Sequence, residues 1–514
     1  MKNTLFLFLG CIGLNGWCQP VNISKKIDEV TLQAMTAFDV PGMAIAVVKD
    51  GQVVHVKGYG LRSITSKEAV DEHTNFGIAS NSKAFTSAAL ALLIDQKKLH
   101  WDDKVVHYLP EFKMYNDYVT QEFTIRDLLT HRSGLGLGAG DLMIWPDGHD
   151  FSPRDIVQNI QYLKPVSGFR AQYDYDNLLY IIAGMVVEKV SGKSWAAYVE
   201  AEIMKPIGMN TSAGNWNRLA DKTNAVVPHV PVGGELTVIP RYTNTILDAA
   251  AGIYSNVSDL SRWMQLQLNE GEWEGKAIFS KQTHREMWTP QTWIPNRSTP
   301  PYNSLFKAYG LGWQLTDVAG SLQVSHTGGL EGIVTQVTLL PQQELGIAVL
   351  TNQQSGAAFH AITNTIKNYY LNLPEQDFVS EYQSHALAND ASAAQIVLNV
   401  WLQVQRNKKA ATSVNALNQL VGKYKDPWLG EVQIYTEGDA YVFESKRSPQ
   451  LKGEIEFYQD DQFVVKWYNE SFDADAFIKV NREKEQLKSF EMEAISPLTD
   501  FSYDFQDLYF VPIN

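Results

Sequence analysis

Strand-forming sequence stands at both ends of the first 370 or so residues, and helix-forming sequence fills the middle. PGMAIAVVKDGQVVHVKGYG, residues 41–60, contains two strand-like runs joined at Asp50-Gly51, a strong hairpin signal. Late strand signals cluster in AYGLGWQL, SLQVSHTGG, GIVTQVTLLP and LGIAVLTNQ. Between these ends helices are expected after Ser80, near Ile125–Thr130, Pro153–Gln161, Asn177–Val190, Trp195–Met204 and Val257–Leu268. Outer helices are expected at Ser24–Phe38 and Ala357–Leu371. An early hairpin, a helical middle and late antiparallel strands imply one α+β domain over 19–372. Its antiparallel sheet is flanked by helices, with a helical subdomain inserted.

Leu373-Pro374 starts a connector over 373–414, with a helix expected at Ala391–Gln405. From 415 to 514 the texture changes to short alternating strands: EVQIYTEG, AYVFESK, GEIEFYQ, QFVVKWY and DAFIKV. A spacing of about ten residues implies a small β-barrel or sandwich.

The formal net charge is −14, and no basic run offsets it, which argues against a nucleic-acid partner. Lys2 precedes an apolar stretch, Leu5–Leu14, followed by GWCQP. This reads as a signal peptide over 1–18, cut before Gln19, and so as an exported, periplasmic or extracellular protein. A lipid anchor on Cys11 is the alternative, disfavoured by Phe8 at −3. The stretch is too short to span a bilayer, and no other apolar run is long enough. Cys11 and Cys18 are the only cysteines, so the cleaved chain would hold no disulfide and no thiol nucleophile.

Chemistry concentrates in GIASNSKAFTSAALALL, where Ser80 and Lys83 stand three residues apart at the head of an apolar helix. Three residues is one helical turn, so both side chains share a face. A serine, a potential base and a free backbone N–H thereby meet in the S-x-x-K arrangement of serine acyl-transfer enzymes. The spacing alone is cheap: Ser304 and Lys307 repeat it in NSLFKAYG, between prolines and a glycine. A serine there is also a common helix cap.

A lysine with its reference pKa of ~10.4 is a poor base near neutral pH. Burial or nearby positive charge must lower that pKa, or a tyrosine must share the task. Tyr175-Asp176-Asn177, at the start of the apolar helix LLYIIAGMVVEKV, supplies a tyrosine, although a capping Asn or Asp is expected there anyway. Y-x-N recurs at Tyr242, Tyr254 and Tyr370. His326-Thr327-Gly328-Gly329 ends an expected strand, where glycines let backbone approach a ligand.

The ordered set S-x-x-K, Y-x-N and H-T-G resembles the class C β-lactamase and penicillin-binding-protein-like serine hydrolases. LHWDDKVVHYLPEF, FTIRDLLTHRSGL, IMKPIGMNTS and AAAGIYSNVSDLSRWM follow the same family order. The resemblance covers about Ile27 to Leu371. It implies that Ser80 is the acylated nucleophile, that Lys83 helps deprotonate it, and that Tyr175 is the second proton carrier. It also implies that Asn177, His326, Thr327 and Gly328 bind substrate, and that the N–H groups of Ser80 and Gly329 form the oxyanion hole. His326 stands where many relatives have lysine, so it would keep part of the polar wall and could supply a positive charge. A protonated His326 holding a substrate carboxylate would release it as pH rises through ~6.5.

The absence of K-[ST]-G favours a D,D-peptidase, D-aminopeptidase or esterase acting on D-residue peptides or small esters. The alternatives are a class C-like β-lactamase, or a non-enzymatic penicillin-binding sensor or scaffold that acylates without turnover. The final domain resembles the lipocalin-like domain appended to some of these hydrolases. A small-molecule or peptide acyl substrate is the implied partner. No cofactor is called for, and no metal-ligand spacing stands out among 11 histidines.

His131 in LLTHRSGL reads as structural, and SGLGLGAG, residues 133–140, as a mobile loop near the site. Trp288, Trp293 and Tyr302 lie in a Pro-rich segment that suits a pocket rim or plain surface packing.

Overall fold

The computed structural model describes residues 23–408 and 411–513. The expected signal peptide, with Cys11 and Cys18, lies outside the described residues.

An eight-stranded antiparallel sheet organises the first 370 or so residues. Its strands are β1 (Gly42–Lys49), β2 (Gln52–Gly60), β3 (Thr292–Trp293), β4 (Lys307–Tyr309), β5 (Gln314–Val318), β6 (Ser321–Leu330), β7 (Ile333–Leu340) and β8 (Leu345–Thr351), in the order β2-β1-β8-β7-β6-β5-β4-β3. The amino-terminal hairpin and the late strands therefore form one sheet, joined where Met43 pairs with Thr351 and Lys49 with Leu345.

β1 is buried on both faces, and its side chains alternate between two cores. Met43, Ile45 and Val47 pack with Ile347 and Val349 against helices α1 (Ile23–Ala37) and α5 (Gly356–Tyr370). Ala44, Ala46 and Val48 face the larger core containing α2 (Ser82–Asp95), α3 (Leu178–Ser191) and α4 (Val257–Leu268). Every residue of α2 from Ser82 to Leu93 is buried. A helix buried all round lies in the middle of a core, and this position fixes the residues just ahead of it.

Two segments differ from the sequence reading. The Pro-rich segment contributes the edge strand β3, which pairs with β4 where Trp293 lies beside Ala308. The connector helix, α6 (Phe378–Asn407), has 30 residues and starts well before Ala391. Most of its length faces solvent, so the apolar period that would reveal it is weak.

Beyond it, β9 (Gly422–Asp426), β10 (Gly430–Glu437), β11 (Ala440–Ser445), β12 (Lys452–Gln459), β13 (Gln462–Trp467), β14 (Ala476–Glu483), β15 (Gln486–Ala494) and β16 (Val511–Ile513) form a second antiparallel sheet. Phe490 beside Phe510 exchanges both backbone hydrogen bonds between its two edges, so the sheet curls into a nearly closed barrel. Closure removes the free edges that a flat sheet would expose.

Candidate active site

Ser80 lies in a 3₁₀ turn, Ala79–Asn81, that feeds α2. Ala79 takes the left-handed region at φ +49°, a conformation that neighbouring structure must hold in place. The holding groups are visible. Ile78 N donates to Ile253 O, Thr335 Oγ1 to Ile78 O, and Asn81 Nδ2 to Thr335 Oγ1. Ile253 N donates to Ser82 Oγ. The AAAGIYSN segment and β7 thus clamp the turn from two sides. Asn81, not Ser80, is the N-cap residue of α2, and no side chain caps this end. The capping explanation for Ser80 is therefore removed.

Lys83 is fully buried and donates to Ser80 Oγ at 3.1 Å, Asn177 Oδ1 at 2.7 Å and Ala250 O at 3.1 Å. Burial brings its ammonium down to about 7, against the opposing pull of Asp141 and Asp176. Its Nζ lies 4.8 Å from the Tyr175 ring centroid.

Tyr175 and Asn177 come from the turn that opens α3. Asn177 is the N-cap residue, yet its side chain makes no cap bond. Asp176 takes that place instead, its Oδ1 accepting from Leu179 N at 3.4 Å. The Asn177 amide is left free to bridge Lys83 and Asp141, donating to Asp141 Oδ2 at 2.7 Å. Burial raises the pKa of the Tyr175 phenol well above its ordinary value, partly offset by a hydrogen bond with Ser80. It is a neutral hydroxyl at any working pH. His131 packs beneath it, ring centroids 4.2 Å apart, and its Nδ1 accepts from Asp176 N. Burial keeps His131 neutral, with its pKa well below 6.5. Its place under Tyr175 agrees with the structural reading.

The opposite wall is the end of β6. β5 stops pairing with β6 at Gln314 beside Ser325, so the remainder of that β6 edge is open and lies along the Ser80 turn. Gly328 makes this approach possible, since a Cβ there would stand 2.3 Å from Ile78 O. Gly329 opens to space, with nothing within 4 Å of where its Cβ would be. His326 is held by Tyr309, whose hydroxyl lies 2.8 Å from Nε2, and by Thr327 O at 2.6 Å from Nδ1. The carbonyl can only accept, so Nδ1 carries the proton and Nε2 accepts from Tyr309. Burial, with Lys83 nearby, pushes the imidazole to about 3. The positive charge that His326 could have supplied is therefore disfavoured: a buried ring held between a phenol and a carbonyl has little water to solvate a second proton.

Ser80, Tyr175, Asn177, His326, Thr327 and Gly329 line one cavity of about 410 Å³. Lys83 and Gly328 sit just behind its wall, through the contacts above. The cavity is roofed from the C-terminal barrel by Phe472 and by residues 498–503, with Phe501 over Tyr175.

A family model described as Beta-lactamase matches residues 27–370. The chain belongs to the beta-lactamase family. This is a family of serine hydrolases, and the fold agrees: a class C beta-lactamase superposes with a TM-score of 0.56 at 19% identity, over 70% of this chain and 99% of that one. An octameric penicillin-binding protein homologue from Pyrococcus abyssi superposes with a TM-score of 0.61 at 21% identity, covering 95% and 99%. Residues 406–512 match a second model, a domain of unknown function called DUF3471. Among curated relatives, Unguisins hydrolase ungD' of Aspergillus campestris is 29% identical over 64% of this chain and 61% of its own. Protein flp of Staphylococcus aureus strain MRSA252 is 27% identical over 64% and 63%. The chain thus spans about three fifths of the length of these relatives.

In this beta-lactamase family member the sequence reading missed Asp141, Tyr309 and the barrel residues of the roof. Asp141 follows the Gly-rich segment expected to be mobile. That segment is instead pinned: Gly138 N donates to Tyr175 O and Gly140 N to Asp504. A lone aspartate after a glycine run gives no local sign of its burial. Trp288, Trp293 and Tyr302 are absent from the cavity lining. Ser304 donates to Asp317 O, so the second S-x-x-K pair belongs to strand packing. Among the described residues no helix is long and apolar enough to cross a membrane.

Proposed function

We propose that this chain is an exported serine hydrolase that works through an acyl-enzyme on Ser80. The observation that carries this reading is Lys83 Nζ, 3.1 Å from Ser80 Oγ and brought to about 7 by burial. About half of such amines are neutral at pH 7, so a base is poised at the nucleophile.

Lys83 takes the Oγ proton as Ser80 attacks the acyl carbon. The developing oxyanion is held by the N–H groups of Ser80 and Gly329, fixed donors that need no reorganisation. Tyr175, a neutral phenol, gives its proton to the leaving group and is reprotonated from Lys83. Water then attacks the acyl-enzyme, Lys83 takes its proton, and that proton returns to Ser80 Oγ as the ester opens. Asn177, His326, Thr327 and Gly328 shape the substrate wall. Export rests on residues 1–18, outside the described structure.

Glu331, Asp473 and Asp500 line the cavity, whereas none of its lining residues is a lysine or arginine. Burial, beside Asp147 and Asp500, pushes Glu331 up to about 7. A substrate carboxylate about 8 Å from one ionised carboxylate would meet roughly 2 kcal/mol of repulsion at an effective dielectric of about 20. This supports D-aminoacyl amides, peptides with a free amine, or neutral esters over penicillins, whose carboxylate would lack a cation.

The test compares wild type and Ser80→Ala on a D-aminoacyl amide, its N-acetyl form, a D-Ala-D-Ala peptide, a small ester and nitrocefin. A mass adduct on Ser80 is expected, with turnover best for the free amine and poorest for nitrocefin. Turnover retained by Ser80→Ala would sink the mechanism. Nitrocefin as the best substrate would replace this preference with the β-lactamase reading.

A further inference from the structure

Four hydrogen bonds join the C-terminal barrel to the nucleophile. Ser502 Oγ donates to Asp141 Oδ2 at 3.0 Å, and Asn177 Nδ2 donates to the same oxygen at 2.7 Å. Lys83 Nζ then reaches Asn177 Oδ1 at 2.7 Å and Ser80 Oγ at 3.1 Å. Asp141 is fully buried and its Oδ1 has no partner. All of its side-chain hydrogen bonding therefore passes through the one oxygen that Asn177 and Ser502 share.

An asparagine amide has nearly the same shape either way round, so its partners decide its orientation. Here Asp141 accepts from the NH₂ end, which leaves the carbonyl end for Lys83. A flipped amide would set NH₂ against the lysine amine and a carbonyl against the carboxyl oxygen. Lys83 would lose its 2.7 Å anchor and its aim at Ser80. Asp141 does not touch Ser80 and is not itself among the cavity-lining residues, so its hydrogen bonding reaches the reaction through Asn177.

We infer that Asp141 is a positioning residue for acyl transfer, and that Ser502 makes the barrel part of the same device. The inference rests on Ser80 being the nucleophile. The barrel is then more than a cover: its 498–504 loop completes the hydrogen-bond chain that aims the base. Ser502 acts from a half-buried loop on a group in the main core.

The full-length chain carries the test, with Asp141→Leu, Asp141→Asn and Ser502→Ala. The readouts are kcat and KM for a p-nitrophenyl ester, the rate of Ser80 labelling by a fluorophosphonate, and the melting temperature. Leu fills the volume without an acceptor, and kcat should fall about 100-fold with KM little changed, the scale of a misplaced catalytic group. Asn keeps a carbonyl for Asn177 and should stay within about fivefold of wild type, and Ser502→Ala should lose about tenfold in kcat. Labelling rates should follow the same order.

Equal activity of the Leu and Asn variants would overturn the inference, as would wild-type kcat and labelling in Ser502→Ala. Ser502→Ala leaves the main core intact, so it decides the matter if Asp141→Leu does not fold. If wild type itself shows no label on Ser80, the acyl-transfer reading fails and this inference with it. A labelled Ser80 whose rate ignores all three variants overturns the inference alone.

Discussion

Phe501 of the C-terminal barrel meets the ring of Tyr175 edge-on, with centroids 5.8 Å apart and planes at 79°. The two residues stand 326 positions apart in the chain. An edge-to-face pair is a favourable aromatic geometry, and here it closes one side of the cavity that holds Ser80. Removing the ring in Phe501→Ala should admit larger acyl groups. The ratio of kcat/KM for a bulky ester over a small one should rise by about tenfold, within the range of pocket discrimination. An unchanged ratio across a series of acyl chain lengths would show that Phe501 does not limit the pocket.

The pH dependence follows from Lys83. Its folded pKa is depressed to about 7, and the base is its neutral form. The neutral fraction grows as pH rises, so kcat/KM should climb through an acid limb near pH 7 and then level. Lys83→Arg keeps a cation that cannot deprotonate and should lower kcat by about 10²–10⁴. A limb near pH 10 would mean that the lysine keeps its ordinary basicity and another group takes the proton.

Gly328→Ala tests the approach of β6 to the Ser80 turn. The added methyl would meet Ile78 O at 2.3 Å and Thr335 Oγ1 at 2.6 Å, both parts of the clamp. Overpacking of this kind costs about 1–3 kcal/mol. Chemical denaturation should register that loss, and Ser80 labelling should slow with it. Gly329→Ala, where a Cβ meets open space, should leave stability within about 0.5 kcal/mol of wild type.

Asp504 gives a prediction for stability. It is fully buried, accepts from Gly140 N, and burial beside Asp507 and Asp141 raises its pKa well above the ordinary value. A folded pKa above the unfolded one contributes stability below the unfolded value, near 3.9, that is lost as pH rises through the folded value. Asp504→Asn keeps the acceptor for Gly140 and has no proton to lose. It should be more stable than wild type by about 1–3 kcal/mol at pH 8, with the gap narrowing at pH 5. Urea denaturation at the two pH values checks this. A gap independent of pH would remove the buried carboxyl as its cause.

Much of the main sheet is legible in the chain because its strands are buried and bounded by strong turns. β1 and β2 join at Asp50-Gly51, and β7 and β8 are buried along their whole length and rich in Ile, Val and Leu. β3 is two residues long in a Pro-rich segment, too short for an alternating pattern to register. α6 hides for the opposite reason, since a helix that is largely solvated has little apolar face to show. At the site, Ser80, Lys83, Tyr175 and Asn177 announce themselves because a helix start and a polar residue coincide. His326 is legible as a residue but not as a charge state, which depends on Tyr309 and Thr327 O enclosing it.

The amino-acid order alone places strand-forming runs at both ends of the first 370 or so residues. It also places a serine and a lysine on one turn at the head of a largely apolar helix. Those features are local, fixed by side-chain period and helix geometry. Tertiary structure decides the rest. It buries Lys83 until its amine is half neutral at about 7. It gives the cap of α3 to Asp176, so that Asn177 can serve the lysine. It brings Phe501 and Ser502 over a site more than 300 residues away in the chain. Burial and long-range hydrogen bonds arise only when distant segments pack, and no local pattern encodes them.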